Sequence, residues 1–301
     1  MNGVLVVDKP IGPTSHDVVA RVRRALRTRR IGHTGTLDPL ATGVLPLVIG
    51  SATRLAMLLT GADKEYVAGI RLGLTTDTYD AAGLAGAPPS APLEIDAAAL
   101  DEALDRFRGR FAQSPPPFSA KKMGGVPAYK LARRKQPVQP PPVNVSVQSL
   151  SLVSYEAGLA RVRVRASAGF YVRSLAHDLG QALGCGAYLE ALRRVQAGSF
   201  DEGSSTPLEV IEHEGMEAGR RLIPLERLLP DIPAVTLNDR GLKRATHGNE
   251  VAADDVVSWG REAGASADDG TRCRLLDQSG SLVGIAESRP DGLLHPVIVL
   301  V

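Results

Sequence analysis

Gly32-His33-Thr34-Gly35-Thr36-Leu37-Asp38-Pro39-Leu40-Ala41-Thr42-Gly43 packs three glycines, one proline, one histidine and one acid into twelve residues. It lies between an arginine-rich segment, Arg21 to Arg30, and an apolar run, Val44-Leu45-Pro46-Leu47-Val48-Ile49. Glycine admits backbone angles closed to other residues, so the stretch predicts a shaped loop rather than a helix or strand. Asp38 is its only carboxylate, and Pro39 restricts it to extended angles, fixing where its side chain points. From these residues alone two readings stand: a turn whose aspartate bonds nearby amides, and a loop that presents a reactive carboxylate.

Upstream, residues 3–7 predict a short strand, and Ser15 an N-cap with Asp17 favouring the first helical turn. Val18, Val22 and Ala25, with Ile31, recur at helical spacing, while Arg23, Arg27 and Arg30 share another face of that helix. That arginine face is either ordinary solvation or a phosphate contact. Downstream, the apolar run predicts a strand at 44–49, then a helix from Ser51 to Thr60 and a strand at 66–72. Residues 81–95 read as a surface connection, and Asp96 caps a helix of about 97–107. Residues 114–142 are basic and flanked by prolines, with a short helix expected at 129–134. Strands follow at 143–147 and 159–165, a helix from Tyr171 to about Leu183 stopped by Gly184, and a strand at 192–197. Arg161, Arg163 and Arg165 alternate onto one face, for which solvent is the expected neighbour. From Pro233 the pattern changes to a small β-rich unit with a helix at 239–245 and strands at 272–276 and 282–286. The polar insert 254–270 fits no element.

The 301 residues suit one large domain and one small one. The hydrophobic share of 44% against 23% charged is that of a globular protein, with no apolar run that would span a bilayer and no signal-peptide pattern. Cys185 and Cys273 are isolated, and the histidines show no metal-ligand spacing. A metal-free cytoplasmic protein is therefore expected. The net charge of +2 says little about partners. The clustering of base at Arg21 to Arg30 and Lys121 to Lys135 says more, because guanidinium forks match phosphate oxygens.

Residues 32–43 resemble the active-site motif of the TruB family of tRNA pseudouridine-55 synthases. Further family-like blocks follow the expected order: Asp8-Lys9-Pro10 with Thr14 to Val19, Lys64-Glu65-Tyr66, Leu72 to Asp80, Ser119-Ala120-Lys121-Lys122, and Phe170 to Leu175. Each block alone is suggestive; six in order are specific. The resemblance implies a mixed α/β fold with a largely antiparallel sheet. It places a catalytic domain at 1–232, with a thumb inserted at about 109–142, and a β-rich PUA-like RNA-binding domain at 233–301. It also implies isomerisation of uridine 55 in the T-arm stem-loop of tRNA by an aspartate and base flipping, without a cofactor, membrane or obligate protein partner, by a monomer.

Carried over residue by residue, Asp38 is the nucleophilic or charge-stabilising carboxylate, Tyr66 stacks on the base and helps move the C5 proton, and Arg173 pairs with Asp38. Asp80 holds the Arg173 fork, Leu192 lines the uracil pocket, and His33 fills the gap left by the flipped base. Lys122 matches the lysine of the Ser-Ala-x-Lys motif; Lys121, Lys9 and Tyr171 complete the expected substrate contacts. Phe118 stands where the family commonly has tyrosine. Two other classes share these blocks: the catalytic subunit of a guide-RNA pseudouridylation complex, and an RNA-binding protein that keeps the fold without turnover.

Overall fold

Consecutive residues of the first strand bury their side chains in two different cores. In the computed structural model, which describes residues 1–86, 95–119, 121–127, 140–260 and 270–300, β1 (Gly3–Lys9) sends Leu5 and Val7 to one side and Val4 and Val6 to the other. Its antiparallel neighbour β3 (Ala41–Ile49) divides likewise, with Leu45, Leu47 and Ile49 against Val44 and Val48. Burial on both faces explains why these strands read as unbroken apolar runs rather than alternating ones.

The remaining strands of the large sheet are β2 (Ile31–His33), β4 (Lys64–Leu72), β5 (Gly109–Gln113), β8 (Val143–Glu156), β9 (Leu159–Ala166), β10 (Ala187–Ala197), β11 (Phe200–Asp201) and β12 (Thr206–Pro207). The order is β12-β1-β3-β10-β4-β9-β8-β5, with β2 on β3 and β11 on β10. Every pairing is antiparallel except β1 with β12 and β3 with β10. One face is covered by α1 (Ser15–Ala25), α3 (Ala97–Asp105), α4 (Val172–Ala182) and α5 (Leu208–Glu214), which contribute Val18, Val22, Leu100, Leu104, Leu175, Leu179, Leu208 and Ile211. Between α1 and α3 comes the short α2 (Ala56–Thr60), preceded by a 3-10 turn at Gly50–Leu55.

A second sheet runs β14-β13-β15-β16-β17, built from β13 (Ala234–Leu237), β14 (Val256–Trp259), β15 (Arg272–Leu276), β16 (Leu282–Ser288) and β17 (Leu294–Val299). Helix α6 (Asp239–Thr246) packs on it through Ala245. Leu282, Ile285 and Leu300 leave this unit to join Val4, Val6, Val44 and Val48 on the far side of the large sheet. β14 occupies part of the insert left without an element in the sequence; its backbone pairs with β13, and Val256 and Trp259 pack half-buried on the core of this sheet while Val257 and Ser258 are exposed.

Three further expectations change. Thr14, not Ser15, caps α1, in a capping box with Asp17, while the Ser15 hydroxyl is buried under the loop at 34–40. Helix α1 ends at Ala25, and Arg27 turns the chain with φ +50°, so Arg23, Arg27 and Arg30 share no helical face. Arg23 instead donates to the Ile31 carbonyl at 2.7 Å and Arg30 to the Thr53 hydroxyl at 3.0 Å. In the thumb region, β5 belongs to the large sheet, and β6 (Lys122–Met123) pairs with β7 (Val126–Pro127). The expected helix at 129–134 lies outside the described residues. Among the described residues no helix is long and apolar enough to cross a membrane.

Candidate active site

The predicted loop narrows to residues 34–40, because β2 and β3 take both its ends. Its shape is imposed from below by hydrogen bonds to its backbone. The Ser15 hydroxyl accepts from the Leu37 amide at 2.8 Å and donates to the Leu37 carbonyl at 3.1 Å. The Gly12 amide donates to the Pro39 carbonyl at 2.8 Å, and Ala41 to that of Asp38 at 3.0 Å. The Lys9 ammonium has no exposed surface and donates to the carbonyls of Ala41, Pro10 and Pro39 at 2.6, 3.0 and 3.4 Å. Lys9, expected among the substrate contacts, here bonds three carbonyls at and beside the loop. Burial pulls its pKa down to about 8, the Asp38 carboxylate opposing the shift and Arg194 adding to it.

Arg194 is the other prop. It is buried on β10, donating from Nε to the Val44 carbonyl at 2.7 Å and from Nη2 to the Gly35 carbonyl at 3.1 Å. Gly43 is the residue opposite, with φ +98°; a Cβ there would stand 2.2 Å from the Arg194 carbonyl oxygen, so only glycine lets β3 and β10 approach. Across the other edge of β10, Arg194 faces Tyr66 on β4 and hydrogen-bonds its side chain. Burial lowers the Arg194 pKa, and the tyrosine oxygen works against that. Lys64, two residues before Tyr66, is also drawn to about 8 by burial and by Arg194.

Above these props, Asp38 meets Arg173. Helix α4 delivers the guanidinium, whose Nε lies 2.8 Å from Asp38 Oδ2 and 3.6 Å from Asp80 Oδ2. Its Nη1 donates to the Thr78 carbonyl at 3.2 Å and its Nη2 to the Phe118 carbonyl at 3.0 Å. Because Phe118 contributes its backbone, the missing tyrosine hydroxyl leaves this contact untouched. The Arg173 side chain is 7% exposed and that of Asp80 7%, whereas Asp38 keeps 35%. Asp80 is also a turn residue: its Oδ1 accepts from the Thr78 hydroxyl at 2.6 Å and the Ala82 amide at 3.1 Å. Asp80 thus closes its own turn and faces the Arg173 guanidinium at once.

Tyr171 caps α4 and exchanges two hydrogen bonds with the Gln113 side chain, at 2.8 and 3.0 Å. Burial pushes its phenol pKa up, opposed by the Arg173 charge. Leu192 is buried on β10 beside Ala41 and Ala68. His33 is half-buried at the end of β2, with its ring edge-on to that of His16 at 5.3 Å. Burial, then His16 and Arg194, lower its pKa. Lys121 is exposed, and the Lys122 backbone pairs with Pro127. Arg161, Arg163 and Arg165 point to solvent, Arg163 pairing with Glu65. Sequence reasoning passed over Arg194, Lys64 and the Thr78 carbonyl. For Arg194 a signal existed: it sits two residues from the apolar Leu192 in a strand, hence on the same inward face.

Family models match along most of the chain: residues 23–172 match the TruB family pseudouridylate synthase N-terminal domain, and 173–230 the tRNA pseudouridylate synthase B C-terminal domain. The chain belongs to the TruB family. Among curated relatives, the tRNA pseudouridine synthase B of Solibacter usitatus is 43% identical, with all of both chains covered. That of Pseudomonas aeruginosa is 40% identical over 98% of this chain and 95% of its own. Two solved structures share the TruB-type architecture. One, of an H/ACA RNP bound to a substrate RNA containing 2′-deoxyuridine, aligns with TM-score 0.75 at 26% identity, covering 99% of this chain and 85% of the other. The other, of a Cbf5-Nop10-Gar1 complex, aligns with the same TM-score and coverage at 27% identity. The mixed, largely antiparallel sheet expected for the family is the one observed.

Proposed function

We propose that this TruB-family chain isomerises uridine 55 in the T-arm of tRNA to pseudouridine, without a cofactor and in the cytoplasm. The observation that carries the reading is Asp38, held at 2.8 Å by a buried arginine yet 35% open on its other side. The reaction breaks the bond from ribose C1′ to uracil N1, turns the base, and joins C1′ to C5. C5 gives up a proton and N1 gains one, so nothing is oxidised and no group leaves. A carboxylate serves as nucleophile or as the counter-charge while the glycosidic bond is open, and either role needs it in one fixed direction. The Arg173 fork supplies that direction. Tyr66 offers a ring to the base and a hydroxyl for the C5 proton, Leu192 an apolar wall, and His33 a stand-in for the extruded uridine. Residues 233–301 serve as a second RNA contact through the exposed basic side of α6, where Arg240, Lys243 and Arg244 border one hollow with His247 and Asn249.

The two solved structures described above are an RNP and a three-protein complex, which keeps a guided, multi-subunit reading as the alternative. The relatives that match end to end at 40–43% are each called tRNA pseudouridine synthase B, a name that specifies tRNA as what they act on. Purified chain and a tRNA transcript, with no guide RNA, separate the two. The wild type is expected to form pseudouridine at position 55. Asp38→Asn is expected to bind the transcript and form none, even in single turnover with enzyme in excess. A comparable single-turnover rate for Asp38→Asn would remove Asp38 from the chemistry.

A further inference from the structure

Between Thr78 and Asp80, the two residues of this loop that close on Arg173, stands Tyr79. Its backbone is left-handed, φ +64°, a conformation costly for a residue with a large side chain and held only where surroundings enforce it. Its carbonyl accepts from the Leu189 amide at 3.0 Å, which ties the turn to β10. Its ring lies flat on the His177 ring, with centroids 3.8 Å apart and planes 9° from parallel. His177 is one helical turn beyond Arg173 on α4, so the two side chains leave the same helix face. The His177 ring is half-buried, and its Nδ1 has no hydrogen-bond partner, so the stack is what holds that edge of the ring. Arg173 and His177 thus grip three successive residues, by carbonyl, ring and carboxylate.

We propose that the Tyr79–His177 stack is a positioning clip, which fastens the 76–80 turn to α4 so that Thr78 and Asp80 fix the Arg173 fork and, through it, the direction of Asp38. Neither ring touches the reacting atoms. The proposal rests on the functional reading above, and its test carries a readout that does not depend on turnover.

Two substitutions separate the ring from the backbone angle. Tyr79→Phe keeps the stack and loses only the hydroxyl. Tyr79→Asn tolerates the left-handed angle and loses the ring. The Phe variant is expected to retain the wild-type single-turnover rate. The Asn variant is expected to lose tenfold or more, since misplacing a reacting group by about 1 Å costs ~100-fold. Its affinity for tRNA should match that of wild type, which a general loss of folding would not allow. On protein labelled at arginine, the Arg173 Nε–H resonance should be slow to exchange in wild type and Tyr79→Phe, and fast in Tyr79→Asn. A full rate in Tyr79→Asn, or a rate in Tyr79→Phe as low as in Tyr79→Asn, overturns the clip. So does a parallel fall in tRNA affinity and rate. If wild type itself makes no pseudouridine, the functional reading fails, and the Arg173 resonance alone decides the clip.

Discussion

Arg173 stands where two carboxylates and two backbone carbonyls converge, a set that a planar fork with several donors satisfies and a point charge does not. Arg173→Ala leaves buried Asp80 without its guanidinium, and urea unfolding should show a loss of about 3–5 kcal/mol. Arg173→Lys should recover part of that stability and little of the single-turnover rate. The buried lysines give a second prediction, in pH. Lys9 and Lys64 sit near 8 in the folded chain against 10.5 when unfolded. Below pH 8 both states carry the charge and the burial penalty is fully present. From pH 8 to 10.5 the folded state sheds protons that the unfolded state keeps, so these groups make stability rise with pH. The unfolding free energy of wild type minus that of Lys64→Met should climb across that window; a flat difference would sink the idea. Asp38, Asp80 and Arg173 were singled out by the motifs that bracket them, and the fold brings each carboxylate within 4 Å of the Arg173 guanidinium. The carbonyl contacts of Lys9 and Arg194 were not legible, since a sequence gives a charge but not the direction of its long aliphatic stem.

At the level of strands and helices, the site hangs on one parallel seam. β3 and β10 pair through Leu192 with Ala41 and Arg194 with Gly43. Gly43→Ala puts a side chain at φ +98°, which alone costs ~1–3 kcal/mol, and drives its Cβ into the Arg194 carbonyl. The seam must then part, so thermal unfolding should shift down sharply and Tyr66 lose its partner, whereas Gly109→Ala, with φ +78° and open space, should show the backbone cost alone. Long apolar strands and the helix capped by Asp96 were readable from pattern. The start of α1 was misassigned because Thr14 and Ser15 are both good caps, and only the fold shows that Ser15 is taken by Leu37. β14 escaped notice for a different reason: it is only four residues long, with adjacent valines that break alternation, and backbone pairing with β13 holds it.

Across the whole chain, the two sheets share a core. The buried side chains of Leu282 and Ile285 belong to the second sheet yet pack with Val4, Val6, Val44 and Val48 of the first. Ile285→Ala should cost 2–5 kcal/mol, roughly the range for emptying a buried site of that size. Because the cluster is common to both, the loss should appear in both sheets. Trp259, on β14, reports the second sheet by fluorescence, and far-UV circular dichroism is dominated by the rest; the two unfolding curves should coincide in wild type. Separate transitions would mean that the shared cluster does not couple the sheets. The change of pattern at Pro233 falls beside Ala234, where β13 begins the second sheet. The apolar join was not legible in the sequence, because nothing in β16 distinguishes residues facing its own helix from those facing β1.

Val44 and Arg194, bonded at 2.7 Å, are 150 positions apart in the chain. At roughly 5–20 residues per second, a ribosome that has made Val44 needs roughly 8–30 s more before Arg194 exists. Throughout that interval the edge of β3 that pairs with β10 at Ala41–Gly43 lacks that strand. A nascent chain of this protein thus carries an open strand edge for about half of its synthesis, and Asp38 has no Arg173 to meet until the helix from Val172 has emerged. Its birth, more than its finished state, is where a chaperone would find it.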